Sequence, residues 1–213
     1  MKILEKMPDK YDAGISILTG GKLRYLQGEI AAKYVNRHDR VLEIGCGTGD
    51  LAILAAKRGA KVVAIDRAPE MLAVASKKIG DEGLQELVEV LKMDALDMDT
   101  NFQEGRFDVV TSTLTFSELT AEEVDFILKE SARVLRPNGT LAVADEVVPR
   151  KLVATLAYYL YRIPALVITY ILARSGTSPL RRLEQRIKKA GFRIVRADGY
   201  LFDSLELVVA QKV

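Results

Sequence analysis

The stretch VLEIGCGTGDL, residues 41–51, constrains this chain more than any other. Val41, Leu42, Glu43 and Ile44 form a short apolar run of the kind that becomes a buried parallel strand. Three alternating glycines follow, Gly45, Gly47 and Gly49, and then the strong helix formers of residues 51–57. Glycine in such a turn permits positive φ and lets the backbone approach a ligand that a side chain would hold away. A strand, a glycine turn and a helix in this order make the first corner of a nucleotide-binding α/β domain.

The rest of the chain keeps that rhythm. Apolar runs predict strands at 40–44, 61–66, 87–94, 107–112 and 140–145. Helices are predicted at 69–79, with Pro69 suited to a first turn, and at 122–135, stopped by the turn residues 136–139. Strands that alternate with helices imply a parallel sheet with right-handed crossovers. Residues 179–190 read as a basic amphipathic helix stopped by Gly191. Two further strands, 192–197 and 205–210, are joined by too few residues for a crossover helix, so they form an antiparallel edge. Ahead of the first strand, Ile15, Leu18, Leu23, Leu26, Ile30 and Tyr34 recur at helical spacing around Gly20 and Gly21. At 213 residues the chain suits one domain, with 1–39 as a helical cover.

Composition excludes several classes of function. A formal charge of +2 argues against a dedicated nucleic-acid binder. The charge is uneven: residues 1–144 hold 19 Lys/Arg against 23 Asp/Glu, and residues 145–213 hold 12 against 6. Such asymmetry suits an acidic ligand or a membrane surface met by the later part. One cysteine, Cys46, and one histidine, His38, leave neither a disulfide framework nor a Cys/His metal site, and they fit a reducing, cytoplasmic setting. The first residues lack the apolar core of a signal peptide. His38 precedes the first strand, at the edge of the sheet away from the expected ligands, and reads as a solvated loop residue.

Two ligands compete for the glycine turn. A dinucleotide fold wants G-x-G-x-x-G, but here the third glycine comes one residue early and Asp50 takes its place. Asp50 at the helix start would repel a pyrophosphate, and Glu43 suits a ligand that presents an ammonium. S-adenosylmethionine is such a ligand. Residues 43–49, EIGCGTG, resemble motif I of the class I S-adenosylmethionine-dependent methyltransferases. Phe107-Asp108-Val109-Val110 resembles their motif IV, and residues 135–140 resemble the turn before strand five. The resemblance implies a Rossmann-like, mostly parallel seven-stranded sheet with an antiparallel last strand. It also implies S-adenosylmethionine as cofactor and S-adenosylhomocysteine as product. On it, Glu43, Gly45, Cys46, Gly47 and Gly49 surround the methionine part, and Thr111, Ser112 and Thr113 flank it. Asp66 holds the ribose hydroxyls with Arg67 and Met71 nearby, and Asp94-Ala95 meets the adenine. Within the class, Lys10-Tyr11-Asp12 and residues 18–24 are similar to the opening segments of the ubiquinone/menaquinone-biosynthesis C-methyltransferases and of the corrinoid protein-associated methyltransferases. That similarity makes Tyr11 and Thr19 candidate cofactor contacts. Ser117-Glu118 stands where the quinone enzymes commonly carry His-His.

Methyl transfer is an in-line displacement governed by positioning, and a base is needed only where the acceptor must lose a proton. Asp145, and after it Glu118, are the candidates for that role; each could equally be a solvated or capping carboxylate. Residues 152–173 are strongly apolar around Arg162 and Pro164. A central arginine would cost a membrane span about 2.5–3.5 kcal/mol, and a span would split one sheet. The expectation for 150–178 is a helical lid over a hydrophobic acceptor, with possible peripheral membrane contact through its tyrosines and flanking arginines. The acceptor is expected to be a small molecule, apolar or corrinoid-linked. Two alternatives are a non-catalytic cofactor-binding partner of a corrinoid or other methyl-transfer complex, and a nicotinamide oxidoreductase.

Overall fold

A computed structural model describes residues 8–149 and 179–213, with side chains from residue 12 onward. The expected lid at 150–178 and the side chain of Tyr11 lie outside the described residues. Two helices open the described chain, α1 (Pro8–Thr19) and α2 (Lys22–Tyr34), broken at Gly20 and Gly21 with φ 56° and 72°. Then come β1 (Arg40–Ile44), α3 (Asp50–Lys57), β2 (Lys61–Asp66), α4 (Pro69–Asp81) and β3 (Val88–Lys92). A short helical turn at Met98–Asn101 leads to β4 (Phe107–Thr113), α5 (Ala121–Val134) and β5 (Leu135–Glu146). The chain ends with α6 (Leu183–Lys189), β6 (Phe192–Tyr200) and β7 (Leu205–Lys212).

The strands form one sheet in the order β3-β2-β1-β4-β5-β7-β6. β1 to β5 are parallel, and β7 runs antiparallel between β5 and β6. The antiparallel pair is thus as expected, with the last strand inserted between β5 and the edge. β6 carries a bulge between Ile194 and Arg196. After β1 the chain winds to β2 and β3 on one side, and β4 and β5 then build on the other. The order therefore reverses between β1 and β4, and the crevice at their carboxyl ends is the natural ligand site of such a sheet.

Side-chain alternation divides the core in two. Leu42 and Ile44 face α5 and α6, packing with Val124, Ile127, Leu128, Leu183 and Ile187. Val41, Val62 and Ala64 face α3 and α4, against Ala52, Ala56, Leu72 and Ala75. α1 and α2 extend that second layer over β5 and β7 through Ile15, Leu26, Ile30, Ala142 and Val209. α5 starts at a capping box, with Glu123 N–H donating to Thr120 Oγ1 and Thr120 N–H to Glu123 Oε2.

Several elements differ at their ends from the pattern in the sequence. β3 is shorter at both ends than 87–94. β5 begins at Leu135, which pairs with Phe107, and residues 136–139 bulge out before Thr140 pairs with Val109. The expected turn is therefore an excursion within the strand, with Asn138 at φ 59°. α6 starts at Leu183, not 179, because Leu180 forms a bridge with Val147 and Arg182 takes φ 58°.

Candidate functional site

The glycine turn lies at the switch point, directly after β1. Gly45, Gly47 and Gly49 have φ 67°, 53° and 81°, a region that side chains disfavour. Two of the three are also required by close neighbours. A Cβ at Gly45 would overlap the Thr115 side chain, and one at Gly49 would stand 3.0 Å from the Ala75 Cβ on α4. Gly49 thus packs two helices together, whereas Gly45 packs against Thr115 and, with Gly47, lines the space beside the turn.

That space is a crevice in two halves that share Gly45, Gly47 and Thr113. The first half is lined by Asp66, Arg67, Met71, Asp94, Ala95 and Glu118. Asp66 ends β2 and reaches back to the turn: Gly47 N–H donates to its Oδ2 and Ala68 N–H to its Oδ1, each at 2.9 Å. Each oxygen keeps a second lone pair, enough to accept from neighbouring hydroxyls. Asp94 caps the following turn, accepting from Leu96 N–H at 3.0 Å. Arg67 and Glu118 face each other at 3.8 Å, from the loops after β2 and β4. Leu114, Leu119 and Met93 supply the apolar part of this wall.

The second half lies between the turn and the helical cover, with Thr19, Gln27, Cys46 and Thr48 in its walls. Gln27 Nε2 donates to Thr113 Oγ1 at 3.4 Å. Thr19 is buried and donates to Ile15 O at 2.8 Å. Burial pushes the Cys46 thiol up, the opposite of an activated nucleophile. A polar cluster fastens α1 to the turn: Thr48 Oγ1 donates to Asp12 Oδ1 at 2.6 Å, and Lys78 Nζ to Asp12 Oδ2 at 2.8 Å. Lys78 also pairs with Asp50. The Asp50 charge is therefore compensated, and its repulsion of phosphate is weaker than its position in the sequence suggests.

Glu43 lies beneath the turn, 1% exposed and, like Asp145, outside the crevice walls. Its Oε2 is buried without a hydrogen-bond partner. Burial, reinforced by the nearby charge of Asp50, pushes its carboxyl up to about 8. A buried acceptor oxygen left open costs stability unless something arrives to use it. This open oxygen, set under a glycine turn with strand-ending acids at Asp66 and Asp94, fits a ligand that carries an ammonium at one end and an adenosine at the other. Residues suited to S-adenosylmethionine are thus present and gathered.

Other expected residues are placed elsewhere. Thr111 and Ser112 are fully buried and donate to Leu42 O (3.4 Å) and Ile44 O (3.1 Å), so of the three only Thr113 reaches the crevice. Asp145 is fully buried and not in the crevice wall. Its carboxylate accepts from Phe116 N–H (2.7 Å), Ser117 N–H (3.3 Å) and Glu146 N–H (2.7 Å). Burial nonetheless pushes it up to about 7. Thr115 was not anticipated; it lines the crevice, and its hydroxyl lies 3.3 Å from Ile44 O. Its only signal in the sequence is its place two residues beyond β4. His38 is exposed at φ 70°, far from the crevice. Among the described residues no cluster of His, Cys, Asp or Glu could hold a metal ion.

Fold and site together define a class I S-adenosylmethionine-dependent methyltransferase, and the chain belongs to that family. Residues 41–139 match the family described as a methyltransferase domain. More closely, the chain is similar to the demethylmenaquinone methyltransferase of Thermus thermophilus, 34% identical over 162 residues that cover 75% of this chain and 71% of that protein. It is also similar to a phosphatidylethanolamine N-methyltransferase of Cereibacter sphaeroides, 36% identical over 59% of this chain and 60% of that one. The fold is shared with a SAM-dependent methyltransferase from Aquifex aeolicus: TM-score 0.64, 23% identity, covering 90% of this chain and 97% of the other.

Proposed function

We propose that the protein methylates a small, lipid-like acceptor at the mouth of the crevice. The observation that carries this reading is the first half of the crevice, where Met93, Leu114 and Leu119 give an apolar wall beside Glu118, a third carboxylate besides Asp66 and Asp94. Two relatives support it by name, one acting on demethylmenaquinone and one on phosphatidylethanolamine. S-adenosylmethionine, when bound, supplies an electrophilic methyl group on a sulfonium. The residues of the chain do the rest. Glu43 receives the ammonium end, directly or through a water, and Asp66 and Asp94 receive the ribose and adenine. Gly45 and Gly47 keep the floor low, so that the acceptor can line up behind the methyl group. Glu118 orients the acceptor and takes its proton where one must leave. Asp145 serves as a positioning residue, fixing the loop that carries Thr115 and Glu118.

The deciding experiment incubates the protein and S-adenosylmethionine with demethylmenaquinone or with phosphatidylethanolamine in detergent, and follows S-adenosylhomocysteine and methylated product by mass spectrometry. Product from either acceptor is expected, and Glu118→Gln should slow its formation. Cofactor binding without turnover of either acceptor or of any lipid extract would favour the non-catalytic binding partner.

A further inference from the structure

The carboxyl-end rim of the sheet carries an apolar surface that the crevice does not use. The β6–β7 hairpin turns through Leu201, Phe202 and Asp203, three successive non-glycine residues with φ 50°, 59° and 62°. Bulky residues rarely take this conformation, and a fold keeps it where the result is useful. Here Asp203 folds back, its Oδ1 lying where a Cβ at Gly199 would stand. Leu201 and Phe202 are left facing outward, and Phe202 is 76% exposed. The surface continues onto the helical cover. Lys22 Nζ lies 4.6 Å from the centre of the Tyr25 ring and 5.3 Å from that of Tyr200, so the start of α2 adjoins the hairpin. Tyr25 is half-exposed, and Ile17, in the last turn of α1, is 78% exposed.

Cations frame this surface on both sides. Arg24 is exposed beside Tyr25. Arg181 and Arg182, both exposed, line a groove with Gly199 and Asp203 on the other side of the hairpin. The groove also holds Lys188 and three carboxylates, Asp203, Glu184 and Glu206, the last two engaged with partners. Large apolar side chains framed by basic ones suit the interface of an anionic bilayer. A second copy of the chain would bring like charges together across a two-fold axis. We propose that this rim, with Leu201, Phe202, Tyr25 and Ile17 as its apolar contacts, docks the protein on an anionic membrane surface. Thr19 and Arg24 belong to the crevice wall at the same rim, so docking places the crevice beside the bilayer. The purpose of the surface, though not its chemistry, depends on the lipid-like acceptor proposed above.

The test sediments the full chain with vesicles of phosphatidylcholine, with and without phosphatidylglycerol, at low and high salt. Binding to the anionic vesicles at low salt is expected. Leu201→Ser/Phe202→Ser should weaken it about tenfold or more. Lys22→Gln should weaken it less and reduce its salt dependence. Calorimetry with S-adenosylmethionine should give the same affinity for both variants and the parent chain, which shows that each is folded. Two results overturn the proposal: no vesicle binding by the parent chain, or unchanged binding by the double variant. A dimer in analytical ultracentrifugation that the double variant dissociates, with no vesicle binding, would assign the surface to a second copy and also overturn it. Loss of the acceptor reading looks different: vesicle binding persists while no lipid is methylated.

Discussion

Glu43 and Asp145 are two buried carboxylates near the carboxyl ends of strands in one sheet, yet they do opposite things. Both are driven toward the protonated form by burial, to about 8 and about 7. Asp145 is satisfied by three backbone N–H groups, whereas Glu43 has an oxygen with no partner. In the function proposed above, the saturated acid belongs to the scaffold and the unsaturated one is kept open for the ligand. Burial and a shifted pKa alone do not separate these cases, but the count of hydrogen-bond partners does.

The largest expected effect comes from the scaffold acid. Asp145→Ala leaves three buried donors unpaired and should cost about 3 kcal/mol of stability, read from denaturant unfolding. Asp145→Asn keeps an acceptor and should lose less. A stable Asp145→Ala protein would break the contrast. Next comes Glu43→Gln, which keeps shape but cannot ionise when the ammonium arrives. Its affinity for S-adenosylmethionine should fall about 10- to 100-fold by calorimetry, while the ligand-free protein becomes more stable at pH 7, because glutamine escapes the loss that a raised carboxyl suffers as pH rises.

A third, smaller effect is in pH. With its folded-state value raised above the ordinary 4.5, Glu43 stabilises the ligand-free protein fully at low pH, and that contribution is lost as pH rises through about 8. Asp145 acts in the same direction, through about 7. An ammonium beside Glu43 favours the ionised carboxylate, so binding below pH 8 should release a proton. Affinity should then climb by up to about tenfold per pH unit and level off near 8. Calorimetry in buffers of different ionisation heat measures that proton, and Glu43→Gln should abolish its release. The smallest effect belongs to Lys78→Met. The cluster around it is partly exposed, so its loss should weaken cofactor binding only a few-fold, about 1 kcal/mol or less.

Much of this was legible in the sequence. The order of strands and helices, the glycine turn, and the acids ending β2 and β3 follow from local pattern, because each is written within a few adjacent residues. The place of Glu43 near the end of β1 was legible for the same reason. What the sequence hid was direction and long-range pairing. Thr111, Ser112 and Thr113 are equivalent as text, but the parallel pairing of β1 with β4 turns the first two hydroxyls onto β1 carbonyls. Asp145 ends a strand on the correct rim, and only its backbone partners 28 and 29 residues away reveal a structural task. The charge of Asp50 looked exposed because Lys78, on another helix, is 28 residues away.

The bulge in β6 has a consequence for how crowded this protein can become. An open sheet ends in two strands with unpaired backbone groups, and each is a template for a neighbouring molecule. On one side the bulge at Ile194 and Arg196 breaks the regular spacing of those groups, and Arg193 and Arg196 put charge along the strand. On the other, β3 is five residues long and carries exposed Glu89 and Lys92. Neither edge offers a flat, uncharged ladder. Among the described residues, therefore, neither edge of the sheet invites a neighbouring molecule to extend it.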